Sequence, residues 1–152
     1  MDGLMAMRGI NLITAMGVVA ELGDLSRFSK PTQLMAYLGL VPSEHSSGDS
    51  RHQGRITKSG NRHVRRLLIE SAWCYRFAAR KSREIEQRAQ RASPEVQAVA
   101  WKAQKRLCAR YRALSERGIS SCKVVTAVAR ELSGFIWAVV EQARQTMMAQ
   151  PV

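Results

Sequence analysis

A mainly α fold is predicted by three observations. Apolar residues recur at helical spacing through most of the 152 residues, Gly and Pro punctuate the ends of those runs, and no period-2 strand pattern stands out. The length suits one hydrophobic core and there is no long linker, so a single domain or domain fragment is expected. Residues 12 to 22, LITAMGVVAEL, spell a short apolar helix ended by Gly23-Asp24. A second helix begins at Pro31, puts Leu34, Met35 and Leu38 on one face, and stops at Gly39 ahead of Pro42. With the turn at Gly9-Ile10-Asn11, the pair resembles a helix-hairpin-helix unit whose backbone amides meet a DNA phosphate; Gly-Ile-Asn serves equally well as a plain helix start.

Residues 43 to 60 are rich in Ser, Gly and His and have Ile56 as their single apolar member, a composition that cannot fill a core and reads as loop or short hairpin. From Asn61, a good cap, one helix is expected to run to about Arg91. Val64, Leu67, Leu68, Ser71, Tyr75 and Ala78 lie near one stripe of it, with Arg62, Arg65, Arg66, Arg76 and Arg80 projecting elsewhere. Ser93-Pro94 starts the next helix, with Val96, Val99, Ala100, Ala103, Leu107 and Tyr111 on one side and Lys102, Lys105, Arg106, Arg110 and Arg112 around the other. Gly118 closes this arm. The last helix, from about Ser121 to Met147, carries Val124, Val125, Val128, Leu132, Phe135, Ile136 and Val139 and is expected to clasp the bundle.

The formal charge of +12 is unevenly spread. Residues 1 to 50 carry three cations and five anions, residues 51 to 112 seventeen and four, and residues 113 to 152 four and three. Such a polycationic middle third points to a phosphate backbone or an anionic membrane face, because clustered Lys and Arg release condensed counterions on meeting polyphosphate. A well-solvated helix surface is the bland alternative. Cys74, Cys108 and Cys122 are far apart and lack a CxxC pair, so they read as reduced core thiols. His45, His52 and His63 sit in basic segments that repel a cation, which argues against a metal site. The apolar runs are too short to cross a bilayer, no export signal is recognised at the start, and a cytoplasmic, nucleoid-associated protein is expected.

A serine becomes a nucleophile where a base or a strong positive field stabilises its alkoxide, and phosphoryl transfer also needs cations for the charge developing on phosphate. Ser46 and Ser47 precede Gly48, and Arg51, Arg55, Lys58, Arg62, Arg65 and Arg66 follow closely. That arrangement suits a serine attacking a DNA phosphodiester; a Ser-rich turn ahead of a nucleic-acid-binding helix, without catalysis, fits the same composition. Asp49 is the single carboxylate between Glu44 and Glu70, so a metal-dependent nuclease within this chain is disfavoured.

Taken in order, Gly9-Ile10, Glu21-Leu22-Gly23-Asp24, Arg27-Phe28, Leu38-Gly39-Leu40-Val41-Pro42, Ser46-Ser47-Gly48, Gly54-Arg55-Ile56-Thr57-Lys58, Gly60-Asn61, Arg65-Arg66-Leu67-Leu68 and Glu70-Ser71-Ala72-Trp73 resemble the C-terminal transposase domain of the insertion-sequence 110/116/902 family. The likeness extends through Ala127 to Leu132 and Phe135-Ile136-Trp137. The resemblance implies a DNA recombinase whose complete form adds an N-terminal ribonuclease-H-like domain with four acidic residues holding Mg²⁺, guided to its DNA by a structured RNA of the element. That domain is expected to be absent here, leaving residues 1 to 42 as the helix-hairpin-helix-like part, 43 to 60 as the active-site loop and 61 to 152 as the helical part, with no cofactor bound by this chain. By the same resemblance a serine becomes covalently linked to DNA: Ser47, which directly precedes the Gly, or Ser46. Arg55, Lys58, Arg62 and Arg65 are expected to clamp phosphates, with Arg51 and Arg66 nearby and Gly48, Gly54 and Gly60 shaping the loop around the DNA backbone. The family's composite site forms between subunits, which implies a dimer or tetramer with the apolar stripe of the central helices offered to a partner. A non-catalytic basic nucleic-acid-binding module, from a truncated transposase, is the alternative.

Overall fold

The computed structural model describes the backbone of residues 1–47 and 50–149, and the side chains of all of these except 45–47 and 50–52. The chain runs α1 (Asp2–Met5), α2 (Leu12–Leu22), α3 (Pro31–Tyr37), β1 (Pro42–Ser47), β2 (Ser50–Ile56), α4 (Arg62–Ala72), α5 (Arg83–Ala89), α6 (Pro94–Glu116) and α7 (Ser121–Ala149), with 3-10 turns at Leu25–Arg27 and Trp73–Arg76. The architecture is mainly α, as predicted. Among the described residues no helix is long and apolar enough to cross a membrane.

Helix α7 organises the core. Its Val124, Val125, Val128, Ala129, Leu132, Ile136 and Val139 are buried, and it packs against α1, α3, α4 and α6. Stacking one apolar stripe on several others in this way removes from water the surface that no single short helix could bury alone. Trp137 secures the far side by donating its indole N–H to the carbonyl of Phe28 at 2.7 Å.

Local signals set most helix boundaries. Asn11, Asn61 and Ser93 each accept from the amide three residues on, at Thr14, Val64 and Val96. At the end of α3 the Gly39 amide donates to Ala36 and the Leu40 amide to Met35, the paired bonds of a Schellman turn, with Gly39 at φ +64°. Gly118 ends α6 in the same way.

The single helix expected from Asn61 to Arg91 is instead two helices, α4 and α5, separated by a 3-10 turn and an extended link. Tertiary bonds win here over helical periodicity. Tyr75 is buried and its hydroxyl donates to the carbonyl of Arg8 at 2.7 Å. The link that follows satisfies groups elsewhere: the Ala78 carbonyl accepts from Arg8, and the Arg80 carbonyl accepts from Gln104. Ser82 then caps α5. Ala78 therefore leaves the predicted stripe and is exposed. Two further expectations are corrected. Cys122 is exposed, and only Cys108 is a buried thiol. The apolar stripe of α6, expected to meet a partner, packs through Val96, Ala100, Ala103 and Leu107 inside this chain, largely on α7.

Burial raises the pKa of the Tyr75 phenol well above its ordinary range, the neighbouring Cys108 and Cys74 add to the rise, and Arg8 opposes it. The folded state thus binds the phenol proton more tightly than the unfolded chain, whose tyrosine ionises near pH 10. The corresponding stability is intact below that pH and is lost as pH rises beyond it. Tyr75→Phe should cost about 1 kcal/mol at neutral pH, from the lost hydrogen bond, and should flatten the alkaline fall in stability when denaturant midpoints are compared between pH 8 and pH 11.

Candidate nucleic-acid interface

Strands β1 and β2 form an antiparallel hairpin in which Glu44 pairs with Gln53, His45 with His52, Ser46 with Arg51 and Ser47 with Ser50. Gly48 lies outside the described residues, as do the side chains of Ser46, Ser47 and Arg51. The register slips by one residue between Glu44 and Pro42, which pairs with Ile56, so β2 carries an extra residue at Gly54-Arg55. Ser43 braces this irregularity by donating its hydroxyl to the Arg55 carbonyl at 2.9 Å. Among the described residues the hairpin packs mainly on itself and has no extensive contact with a helix.

What holds the hairpin is the neck below it, where residues 37–41 run beside 57–61. The Thr57 amide donates to Val41 and the Lys58 amide to Gly39, each at 3.0 Å. A Cβ on Gly39 would overlap the Ser59 backbone, and one on Gly60, at φ +70°, would overlap the Tyr37 carbonyl. Only glycine permits the two chains to approach so closely. Lys58, at φ +56°, is the one described non-Gly residue with positive φ.

Arg65 closes the neck from inside. Its side chain reaches across from α4, and Nη1 donates to the carbonyls of Leu38 and Ser59, both at 2.9 Å. Leu38 is the residue at which α3 ends, so the guanidinium meets the negative end of a helix as well as two fixed acceptors. Arg65 is 8% exposed. The expectation that it projects to clamp a phosphate is therefore corrected: its donors hold the protein's own backbone. Gly60 makes room for the Tyr37 carbonyl, which accounts for glycine at that point of the neck. A second tie joins Asn61 Nδ2 to Glu21 Oε2 at 2.7 Å, fixing the start of α4 to the end of α2.

The remaining predicted cations whose side chains are described lie on the surface. Arg55, Lys58, Arg62 and Arg66 are all exposed. Arg55 and Lys58 flank the neck, and Arg62 opens α4. Arg66 bonds Glu70 one turn on at 2.8 Å, and that bond raises its pKa above the usual guanidinium value. With both side chains mostly in solvent, this pair is weak and leaves the arginine able to exchange partners. Gly54 is exposed within β2. The turn at Gly9 is an internal joint: a Cβ there would lie 2.6 Å from the Ser71 carbonyl oxygen, Arg88 donates to the Ile10 carbonyl, and Asn11 caps α2.

The family described as the transposase IS116/IS110/IS902 family matches residues 1–90, which include the whole hairpin and neck. The chain belongs to that family. The chain is 52% identical over 143 residues to "Putative transposase y4qE" of Sinorhizobium fredii, covering 94% of this chain and 37% of that protein. It is 38% identical over 102 residues to "Probable family 20 transposase" of Pseudomonas aeruginosa, covering 64% of this chain and 30% of the relative. It is 44% identical over 64 residues to "Transposase for insertion sequence element IS1111A" of Coxiella burnetii, covering 42% of this chain and 18% of the relative. The chain thus spans little more than a third of the length of these relatives at most. Within this IS116/IS110/IS902 member, sequence reasoning missed the inward Arg65, the Asn61–Glu21 tie and the facing glycines of the neck. The signal for the first was present, because Arg65 falls between Val64 and Leu68 on the inner face of α4.

The two kinds of arginine separate experimentally. Arg65→Gln leaves buried carbonyls without donors and should cost about 1–3 kcal/mol in a denaturant titration. Arg62→Gln should leave that stability unchanged, weaken duplex DNA binding, and lower the slope of log affinity against log salt by about 1.

Proposed function

We propose that this chain is the DNA-handling part of a transposase, with a serine of the hairpin as nucleophile: Ser47, or Ser46 as the alternative. The observation that carries the proposal is a hairpin bearing Ser46 and Ser47 that has no extensive contact with the helices and stands on a hydrogen-bonded neck beside exposed Arg55, Lys58 and Arg62, in a chain of a transposase family. Fixed geometry matters because positioning a nucleophile against phosphorus replaces a bimolecular encounter by a unimolecular one.

In this reading the serine Oγ attacks a DNA phosphorus. The Oγ–P bond forms as one bond from phosphorus to a sugar oxygen breaks. The serine proton passes to a base or solvent, and the departing sugar oxygen takes a proton. One phosphoester replaces another, so strand exchange reverses the step without an external energy source. In this reading Arg55, Lys58 and Arg62, all exposed, take the non-bridging oxygens and neighbouring phosphates. Arg66 joins them when it leaves Glu70. Among the described residues no group of three His, Cys, Asp or Glu side chains gathers to hold a metal, so these residues do not fit a Mg²⁺ site. By its likeness to the family, the reading also includes an N-terminal acidic domain that supplies Mg²⁺, a guide RNA that selects the DNA, a homo-oligomer that completes the site, and action in the cytoplasm on nucleoid DNA.

The deciding experiment combines the chain with its family's acidic domain, guide RNA and suicide DNA substrates, and looks for a covalent protein–DNA adduct on a denaturing gel. Ser47→Ala should abolish the adduct while leaving DNA affinity unchanged. An adduct that survives both Ser47→Ala and Ser46→Ala sinks the serine assignment, and tight DNA binding with no adduct from the unaltered chain favours the non-catalytic module.

A further inference from the structure

Helices α5 and α6 part around a cleft of about 250 Å³ that shares no residue with the hairpin or its neck. Its walls include Ala6, just after α1, and Ala100 of α6, whose small side chains leave the space open, and the indole of Trp101. Lys81, Glu86, Gln90, Gln97 and Gln104 add polar groups, so the cleft itself is of mixed charge and suits the neutral ring of a base better than a phosphate, which belongs at its lysine-bearing edge. Gln104 is 2% exposed and held in place, its Nε2 donating to the Arg80 carbonyl at 2.6 Å. Among the described residues its Oε1 accepts no hydrogen bond, and the residue lines the cleft.

The Trp101 ring collects two cations. Lys81 Nζ lies 5.2 Å and Lys105 Nζ 5.7 Å from the ring centroid, and neither lysine has an ion-pair partner among the described residues. Both lysines are exposed beside a half-buried indole, so their ammonium groups are free to turn from the ring to a phosphate. The volume lies below the roughly 300–1,000 Å³ of pockets that enclose a drug-sized ligand, which suits a single flat ring better than a whole cofactor.

We propose that this cleft receives one unstacked base of a single-stranded nucleic acid. The base stacks on Trp101, the amides of Gln90 and Gln104 meet its edge, and Lys81 and Lys105 take the flanking phosphates. An exposed cation–π contact is worth about 0.5–1 kcal/mol, whereas stacking a base on an aromatic side chain is worth about 1–3 kcal/mol. The base therefore displaces the lysine from the ring, and the displaced ammonium is already beside the backbone it neutralises. The inference rests on the nucleic-acid reading above but concerns a different surface and a different strand state.

The test measures the affinity of the full chain for labelled oligothymidylate, for oligouridylate and for a DNA duplex of equal length. Trp101→Leu should weaken single-strand binding about tenfold, Trp101→Phe should restore most of it, and duplex binding should be unchanged in both. Equal loss for DNA and RNA strands means that the base is held without regard to sugar; loss for one alone assigns the strand. No loss for either strand, or the same loss for strands and duplex, overturns the proposal. Arg62→Gln, which acts on duplex binding, separates failure of this cleft from failure of the neck. Because Trp101→Leu could disturb folding, the unaltered protein is also photocrosslinked to oligonucleotides containing 5-iodouracil. A crosslinked peptide containing Trp101 is expected, and crosslinks confined to other peptides overturn the cleft.

Discussion

The bonds from Arg65 to the carbonyls of Leu38 and Ser59 hold together the end of α3, the start of α4 and both sides of the neck. A buried guanidinium is costly unless it gains partners, and here Nη1 finds two backbone carbonyls, one of them at the negative end of α3. The same bonds solve a second problem. An isolated two-stranded hairpin is marginally stable in water, and this one draws little support from the helices directly. Its position is inherited from the neck, where two glycines allow contact and one arginine locks it.

The helices serve this arrangement from below. α7 packs on both α3 and α4, so the partners joined by Arg65 share one floor. Glu21 holds Asn61 from the side, and Asn61 in turn caps α4. Positive charge is also sorted by position. Arg106 and Arg110 both bond Glu131 and tie α6 to α7. Arg55, Lys58 and Arg62 have no ion-pair partner among the described residues and remain available to phosphate.

Much of the fold was legible because its boundaries are local. Asn61 and the Ser93-Pro94 pair start α4 and α6, Gly39 ends α3, and each acts through bonds within a few residues. The break between α4 and α5 was not legible from stripe periodicity, since it depends on Tyr75 reaching Arg8 and Gln104 reaching Arg80 across the fold. A local sign existed in Ser82, followed by Glu84 and Glu86, a capping pattern overridden by the longer stripe. At the candidate site, composition read residues 43 to 60 as loop or short hairpin, which β1 and β2 bear out, but treated every arginine as a surface charge. Arg65 departs because its place on the helix, beside Val64 and Leu68, decides burial before its charge is considered. The place of Gly60 in the neck was not legible either, because nothing near it in sequence announces Tyr37.

The order of elements along the chain has a consequence for synthesis. The proposed nucleophile is made before the arginine that fixes its hairpin, and α7, which supports both helices of the neck, is made last. A ribosome that stops early therefore releases the serine-bearing segment without the frame that aims it.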